Sequence, residues 1–244
     1  MVKILYIVGI GSGEKFLTKE AEEILNKVDL IVCYSGYKKY VEKYNKPIFT
    51  TGMKKEIERV KKALEEAKDK DVALVSTGDP TIYGLASLAY ELNKDNIKIE
   101  VIPGVTACSI ASSLLGAVIN HDFVVLSLSD HLTPLNLIIK RFKLALEGDF
   151  IICLYNPIGK KRKKPFLEVV ELLKDKNLVI GIVKNAGREN EEKKIINSKE
   201  LVKNLDFYLD YIDMNTILLI GNSKTKIIDG KMVTPRGYLE KYSI

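Results

Sequence analysis

The chain is poor in the residues that build metal centres and disulfide frameworks. It has three cysteines and two histidines in 244 residues. Cys33, Cys108 and Cys153 lie far apart, each in apolar surroundings. They read as reduced core residues of a cytoplasmic protein, not as bridges or ligands. His121 and His131 add too little for a structural zinc, so no metal is expected, nor an iron–sulfur centre. No apolar run reaches the ~20 residues that span a bilayer, which excludes a membrane-spanning helix as an expectation. Met1-Val2-Lys3-Ile4-Leu5-Tyr6 runs straight into a strand pattern, and no signal peptide is expected. Low-complexity tracts and short-period repeats are missing. So are the aromatic-interleaved basic motifs of RNA-binding modules, which counts against nucleic acid as a partner.

What is present describes a soluble α/β protein. Hydrophobic residues make up 46% and charged residues 29%, enough for ample core. The length suits two small domains better than one. The formal net charge is +6, which points to solubility alone or to an anionic partner, either nucleic acid or a polycarboxylate. One basic cluster stands out, Lys160-Lys161-Arg162-Lys163-Lys164.

The stretch around which the chain is organised is Ser76-Thr77-Gly78-Asp79-Pro80-Thr81-Ile82-Tyr83-Gly84. An apolar run, Val72 to Val75, precedes it as a buried strand. Ile82, Leu85, Ala86 and Ala89 predict a helix after it, with Pro80 suited to the first turn. Gly78 permits a sharp turn or close approach of a ligand. Asp79 stands where open α/β sheets place their ligands, although an N-cap aspartate in a plain turn reads equally well. Leu5-Tyr6-Ile7-Val8 is a strand followed by Gly9-Ile10-Gly11-Ser12-Gly13. Glu14 breaks the dinucleotide fingerprint that this loop begins. Thr18 reads as the cap of the next helix. Leu30 to Tyr34 is a strand, and Thr51 to Lys68 predicts a helix with Ile57, Val60, Leu64 and Ala67 on one face. Ile97, Ile99 and Val101 alternate as a strand, and a helix of small residues follows Ala107. The alternation of strand and helix implies a parallel sheet with right-handed crossovers. A boundary is expected near Gly116 to Asn120. Beyond it come strands at Phe123, Phe150, Leu178 and Thr216, helices from Pro134 and Pro165, and an Asp229-Gly230 hairpin. This half predicts a mixed sheet with fewer helices.

Taken in order, Gly9-Ile10-Gly11-Ser12-Gly13, Gly78-Asp79-Pro80, Val101 to Ala107, Tyr155-Asn156-Pro157 and Asn185-Ala186-Gly187-Arg188 resemble the tetrapyrrole methylase superfamily, the class III S-adenosylmethionine methyltransferases. Further stretches look most like its precorrin-3B and cobalt-factor III C17-methyltransferases. These are His121-Asp122-Phe123, Ser127 to Asp130 with Leu132-Thr133-Pro134, Ile220 to Ser223, and Met232 to Tyr238. The resemblance covers essentially the whole chain; Ser12 departs from the proline that many relatives carry. It implies a two-lobed fold, residues 1–118 as a mainly parallel αβα lobe and 119–244 as a mixed-sheet αβα lobe, with the active site in the cleft between them and a homodimer. Carried over by motif, S-adenosylmethionine would be held by Ser12, Gly78, Asp79, Ile82, Thr106, Ala107, Leu154, Tyr155, Ala186 and Pro235. The implied reaction is C17 methylation of an anionic corrinoid precursor with contraction of the ring, in cobalamin biosynthesis. Contraction should need protons moved at an oxygenated carbon. Asp130, His121 and Arg188 are the leading candidates, with Asp122, His131 and Glu189 behind them.

Each has a plainer reading: Asp130 as a turn cap, His121-Asp122 as a linker pair, Arg188-Glu189 as a surface ion pair. Arg188, Arg236 and the lysine run suit the carboxylate arms of such a substrate. The competing functions are a sibling methylase acting on another corrinoid, uroporphyrinogen III, RNA or a protein side chain, a non-catalytic nucleotide or anion sensor, and a dinucleotide oxidoreductase, against which Glu14 counts.

Overall fold

A computed structural model describes residues 2–242, which divide into two compact units on either side of residue 107. The division falls earlier in the chain than the Gly116–Asn120 stretch.

In the first unit, β1 (Ile4–Gly9), β2 (Leu30–Tyr34), β3 (Ile48–Thr51), β4 (Val72–Ser76) and β5 (Lys98–Ile102) form one sheet in the order β3-β2-β4-β1-β5. Every pairing in it is parallel. Residues of β1, β2 and β4 are buried on both faces, which is why their sequences are unbroken apolar runs. Tyr6, Val8, Ile31, Cys33 and Val75 pack under α1 (Lys19–Lys27) through Ala21 and Leu25. The alternate residues Leu5, Ile7, Val32 and Leu74 pack on Val60, Ala63 and Leu64 of the later helix Glu56–Glu66 and on Ala86 and Ala89 of the helix Ala86–Leu92. With the short α2 (Lys38–Val41) numbered between, these two helices are α3 and α4. Thr18 caps α1 as its sequence predicts, its Oγ1 accepting the Ala21 N–H at 3.1 Å.

Two expectations need correction here. The helix predicted from Thr51 begins at Glu56, because Ile48–Thr51 is a strand whose short β-branched run the helical periodicity masked. The helix predicted after Pro80 begins at Ala86. Tyr83 has φ +54°, a left-handed conformation that no helical turn contains, so residues 80–85 form a compact turn instead.

The division falls at the first residue of α5 (Ala107–Leu115), and the second unit continues with the two-residue β6 (Gly116–Ala117). Then come β7 (Phe123–Ser127), α6 (Leu135–Glu147), β8 (Ile151–Tyr155), α7 (Lys164–Leu173), β9 (Val179–Lys184) and β10 (Glu192–Asn197). After α8 (Ser198–Lys203) and α9 (Leu205–Tyr211) follow β11 (Thr216–Ile220), β12 (Lys226–Ile228), β13 (Lys231–Val233) and α10 (Tyr238–Tyr242). The main sheet has the order β10-β9-β11-β8-β7. Only its β7–β8 pairing is parallel, so the sheet is mixed as expected. The helices are more numerous than expected: α8 and α9 are short, and their sequences carry too few turns of apolar periodicity to announce them. Ile152, Leu154, Ile180, Ile182, Leu218 and Ile220 fill one face of the sheet under α6 to α9. On the other face α5 lies against bare backbone: a Cβ on Gly181 would stand 2.2 Å from Leu115 Cδ1. β12 and β13 form the predicted hairpin, with Asp229 at φ 49° and Gly230 at φ 71°, the signs a type I′ turn requires. Among the described residues no helix is long and apolar enough to cross a membrane.

Candidate active site

Three adjacent parallel strands, β4, β1 and β5, end side by side in the first unit. Their following loops meet through glycine. A Cβ on Gly104 would lie 2.1 Å from the Gly78 carbonyl oxygen, and one on Gly9 would lie 2.7 Å from both that oxygen and the Gly104 nitrogen. The β1 and β4 loops are also paired, Gly78 N–H donating to the Gly11 carbonyl at 2.8 Å and Gly11 N–H to the Gly78 carbonyl at 3.3 Å. Gly78 has φ 66°, and a Cβ there would meet nothing nearer than Thr106 Cα at 4.0 Å. The backbone at Gly78 therefore faces open space that a ligand can approach.

Asp79 is less idle than a bare acceptor. Its Oδ1 accepts the Thr81 N–H at 2.8 Å and the Thr81 hydroxyl at 2.5 Å, an Asx turn. Its Oδ2 accepts the Gly104 N–H at 3.1 Å, tying the β4 loop to the β5 loop. An ionised carboxylate offers about four lone-pair sites, so these three bonds leave acceptor capacity on Oδ2. Ser12 is buried in the β1 loop, and Ile82, Thr106 and Ala107 are half-buried. The predicted cofactor residues of this half thus gather on the three loops.

In the second unit the strand ends are knitted by side chains. Leu128 N–H donates to the Tyr155 carbonyl at 3.0 Å. Ser127 Oγ accepts Asn156 Nδ2 at 3.0 Å and the Ser129 N–H at 3.2 Å. Asn156 takes φ 52°, which asparagine tolerates better than most residues. The Tyr155 hydroxyl accepts the Cys108 N–H at 2.9 Å, satisfying one of the free donors at the start of α5. Cys153, two residues before Tyr155 and on the same face, has its thiol pKa pushed up by a hydrogen bond with Cys108 and by burial. Neither thiol is arranged as a nucleophile.

Asp130 follows β7 and lies 3.6 Å from Arg162 Nε. Arg188 stands in the tight loop after β9, its N–H donating to the Asn185 carbonyl at 2.8 Å, with Ala186 buried beside it. Among the described residues no carboxylate lies within ion-pair distance of Arg188, so it is not held in the surface pair with Glu189. Because β9 runs parallel to β8 through the antiparallel β11, Asp130, Leu154, Tyr155, Ala186 and Arg188 share one end of the sheet.

His121 stands at the other end. Its Nδ1 accepts the Asp122 N–H at 2.8 Å and lies 3.4 Å from the Asp122 carboxylate. It lines a cavity of about 490 Å³ with Phe123, Phe150, Arg236 and Tyr238, at the beginnings of β7 and β8. A five-residue strand separates it from Asp130, roughly 16 Å of chain at strand rise. Pro235 adjoins Arg236 and belongs with this second group. The structure therefore does not bring His121 to Asp130, and a single proton relay using both has no geometric support. Among the described residues no cluster of histidine, cysteine and carboxylates is arranged to hold a metal.

Sequence reasoning passed over Arg162, which it read as one of five basic residues in a run. Lys160, Lys161, Lys163 and Lys164 are exposed, whereas the Arg162 side chain retains only 17% of its exposure. The available signal was Gly159 three residues before it, which marks a tight turn able to aim one side chain inward.

The family model of the Tetrapyrrole (Corrin/Porphyrin) Methylases matches residues 4–202. The chain belongs to the tetrapyrrole methylases. It is 68% identical to a probable cobalt-factor III C(17)-methyltransferase of Methanocaldococcus jannaschii, over 99% of this chain and 100% of that one. It is 32% identical to a precorrin-3B C(17)-methyltransferase of a Sinorhizobium species, over 98% of each chain. Among solved structures it resembles that of the methyltransferase CobJ, with a TM-score of 0.86, 28% identity, and coverage of 96% of this chain and 100% of that one. The methylase fold thus accounts for both sheets, and the chain is a methyltransferase of cobalamin biosynthesis.

Proposed function

We propose that this methylase transfers a methyl group from S-adenosylmethionine to C17 of cobalt-factor III, with contraction of the macrocycle. The observation that carries the reading is the 68% identity, along the full chain, to the relative of that name. The lower identity to the precorrin-3B enzyme makes the metal-free substrate the second reading.

The residues of the first unit suit the cofactor. Its amino and ribose groups are donors, and Asp79 Oδ2 has acceptor capacity left. The open backbone over Gly78 accepts a ligand that a side chain would exclude. Bound there, S-adenosylmethionine supplies an already activated methyl on its sulfonium. The chain's task is then orientation: the glycine-packed loops fix the approach, and fixed geometry is worth several kcal/mol of barrier.

In the second unit, Asp130 is the group placed to move a proton during contraction. Arg188, free of a carboxylate partner, and Lys160 and Lys161 at a turn suit the substrate's carboxylate arms. The same resemblance implies a homodimer in the cytoplasm, which light scattering on the purified protein checks.

The test is incubation with labelled S-adenosylmethionine and cobalt-factor III without oxygen, followed by visible spectroscopy and product mass. One added methyl with a spectral shift is expected. Transfer to metal-free precorrin-3B but not to cobalt-factor III would establish the second reading.

A further inference from the structure

We infer that Arg162 is a positioning residue of this reaction: its guanidinium holds the Asp130 carboxylate and the ends of β7 and β8 in one fixed arrangement. The inference rests on the proposed function, since Asp130 is its reacting partner.

The guanidinium reaches three different strand-end loops. Nη1 donates to the Leu128 carbonyl after β7. Nη2 donates to the Asn156 carbonyl after β8 at 2.9 Å and lies 3.4 Å from Met214 Sδ before β11. Nε lies 3.6 Å from Asp130 Oδ1. The backbone aims the side chain. Gly159 and Arg162 exchange both N–H to carbonyl bonds at 3.0 Å, which leaves Lys160 and Lys161 at the tip of the turn. Lys163 turns away to pair with Asp210 at 3.5 Å.

Burial lowers the pKa of Arg162, and the Asp130 charge opposes that shift. A guanidinium taken so far from water persists only if its donors and charge are met, and here two backbone carbonyls accept its hydrogen bonds while the Asp130 carboxylate stands at ion-pair distance. A lysine at this position would present one point charge and could not serve three loops in a plane. Asp130 keeps 36% of its side-chain exposure, so the ion pair with Arg162 draws one oxygen toward the guanidinium and leaves the other open to a substrate. His131, next in the chain, is the other titratable group of that loop and is exposed.

The test uses the full chain with Arg162→Lys, Asp130→Asn and the double variant. Arg162→Lys should lower kcat about tenfold while the KM for S-adenosylmethionine stays within about twofold of the parent. In the Asp130→Asn background the same change should cost less than about twofold, since the coupled partner is gone. An unchanged kcat, or equal losses in both backgrounds, would overturn the inference. A second measurement is independent of turnover and of Arg162→Lys folding. The Arg162 Nε–H resonance in nitrogen-15 spectra should exchange slowly with water in the parent and several-fold faster in Asp130→Asn. Equal exchange in the two proteins would overturn the contact. A parent that methylates no corrinoid would remove the proposed function, and the exchange rates would still decide whether the clamp exists.

Discussion

The two units solve the same problem, holding loops together at the ends of strands, by opposite means. In the first, backbone touches backbone: Gly9 and Gly104 leave no room for a Cβ where the loops after β1 and β5 meet the Gly78 carbonyl after β4, and Asp79 adds one side-chain tie. In the second, side chains bridge the gaps: Arg162, Ser127, Asn156 and Tyr155 span the loops after β7 and β8 and the start of α5. A backbone cradle presents uniform polar edges and suits a ligand common to many enzymes. A side-chain lattice places particular charges and suits the step that differs between them. On the proposed function, the general chemistry of this methylase is written in glycines and its particular chemistry in polar side chains.

The largest expected effect breaks the backbone side of the comparison. Gly104→Ala forces a Cβ to 2.1 Å from a carbonyl oxygen that cannot rotate away. It should cost about 3 kcal/mol, read as a fall in Tm of about 10 °C. A melt indistinguishable from the parent would mean that the three loops are looser than they stand. Next, Asp130→Asn should lower the rate of corrinoid product formation by about 100-fold, the low end for loss of a general acid or base, with folding intact. Full activity would remove Asp130 from proton transfer.

Gly181→Ala sharpens the contrast from the other unit. Its Cβ would stand 2.2 Å from Leu115 Cδ1, the end of a side chain that can shift, so about 1–2 kcal/mol is expected by chemical denaturation. A cost equal to that of Gly104→Ala would erase the distinction between backbone and side-chain packing. The smallest effect is that of Arg188→Ala, which should raise the KM for the corrinoid about fivefold, as loss of one charge-assisted contact. An unaltered KM would leave Arg188 without a substrate role.

Much of this contrast was legible in the sequence, and unevenly so. The glycine loops and Asp79 announce themselves because a strand, a glycine and a carboxylate are adjacent in the chain. The parallel sheet follows from its doubly buried apolar runs. The Arg162 contacts were not legible, because they join positions up to 52 residues apart and depend on which way one residue of a basic run turns. The separation of His121 from Asp130 was legible, since the strand read from Phe123 lies between them. β3 was hidden because Ile48–Thr51 is short and runs into a helical pattern. The late start of α4 was hidden because the positive φ of Tyr83 has no signature in an aromatic residue.

The division of labour between the two units is tested most directly by titrating S-adenosylhomocysteine, the cofactor without its methyl, into Asp79→Asn and Asp130→Asn in a calorimeter. Asp79→Asn removes a charged acceptor and places an amide donor against the Thr81 or Gly104 N–H, so affinity should fall about tenfold. Asp130→Asn should bind within about twofold of the parent while forming little product. Unchanged affinity in Asp79→Asn, or an equal loss in both variants, would contradict the assignment of the cofactor to the glycine-packed loops.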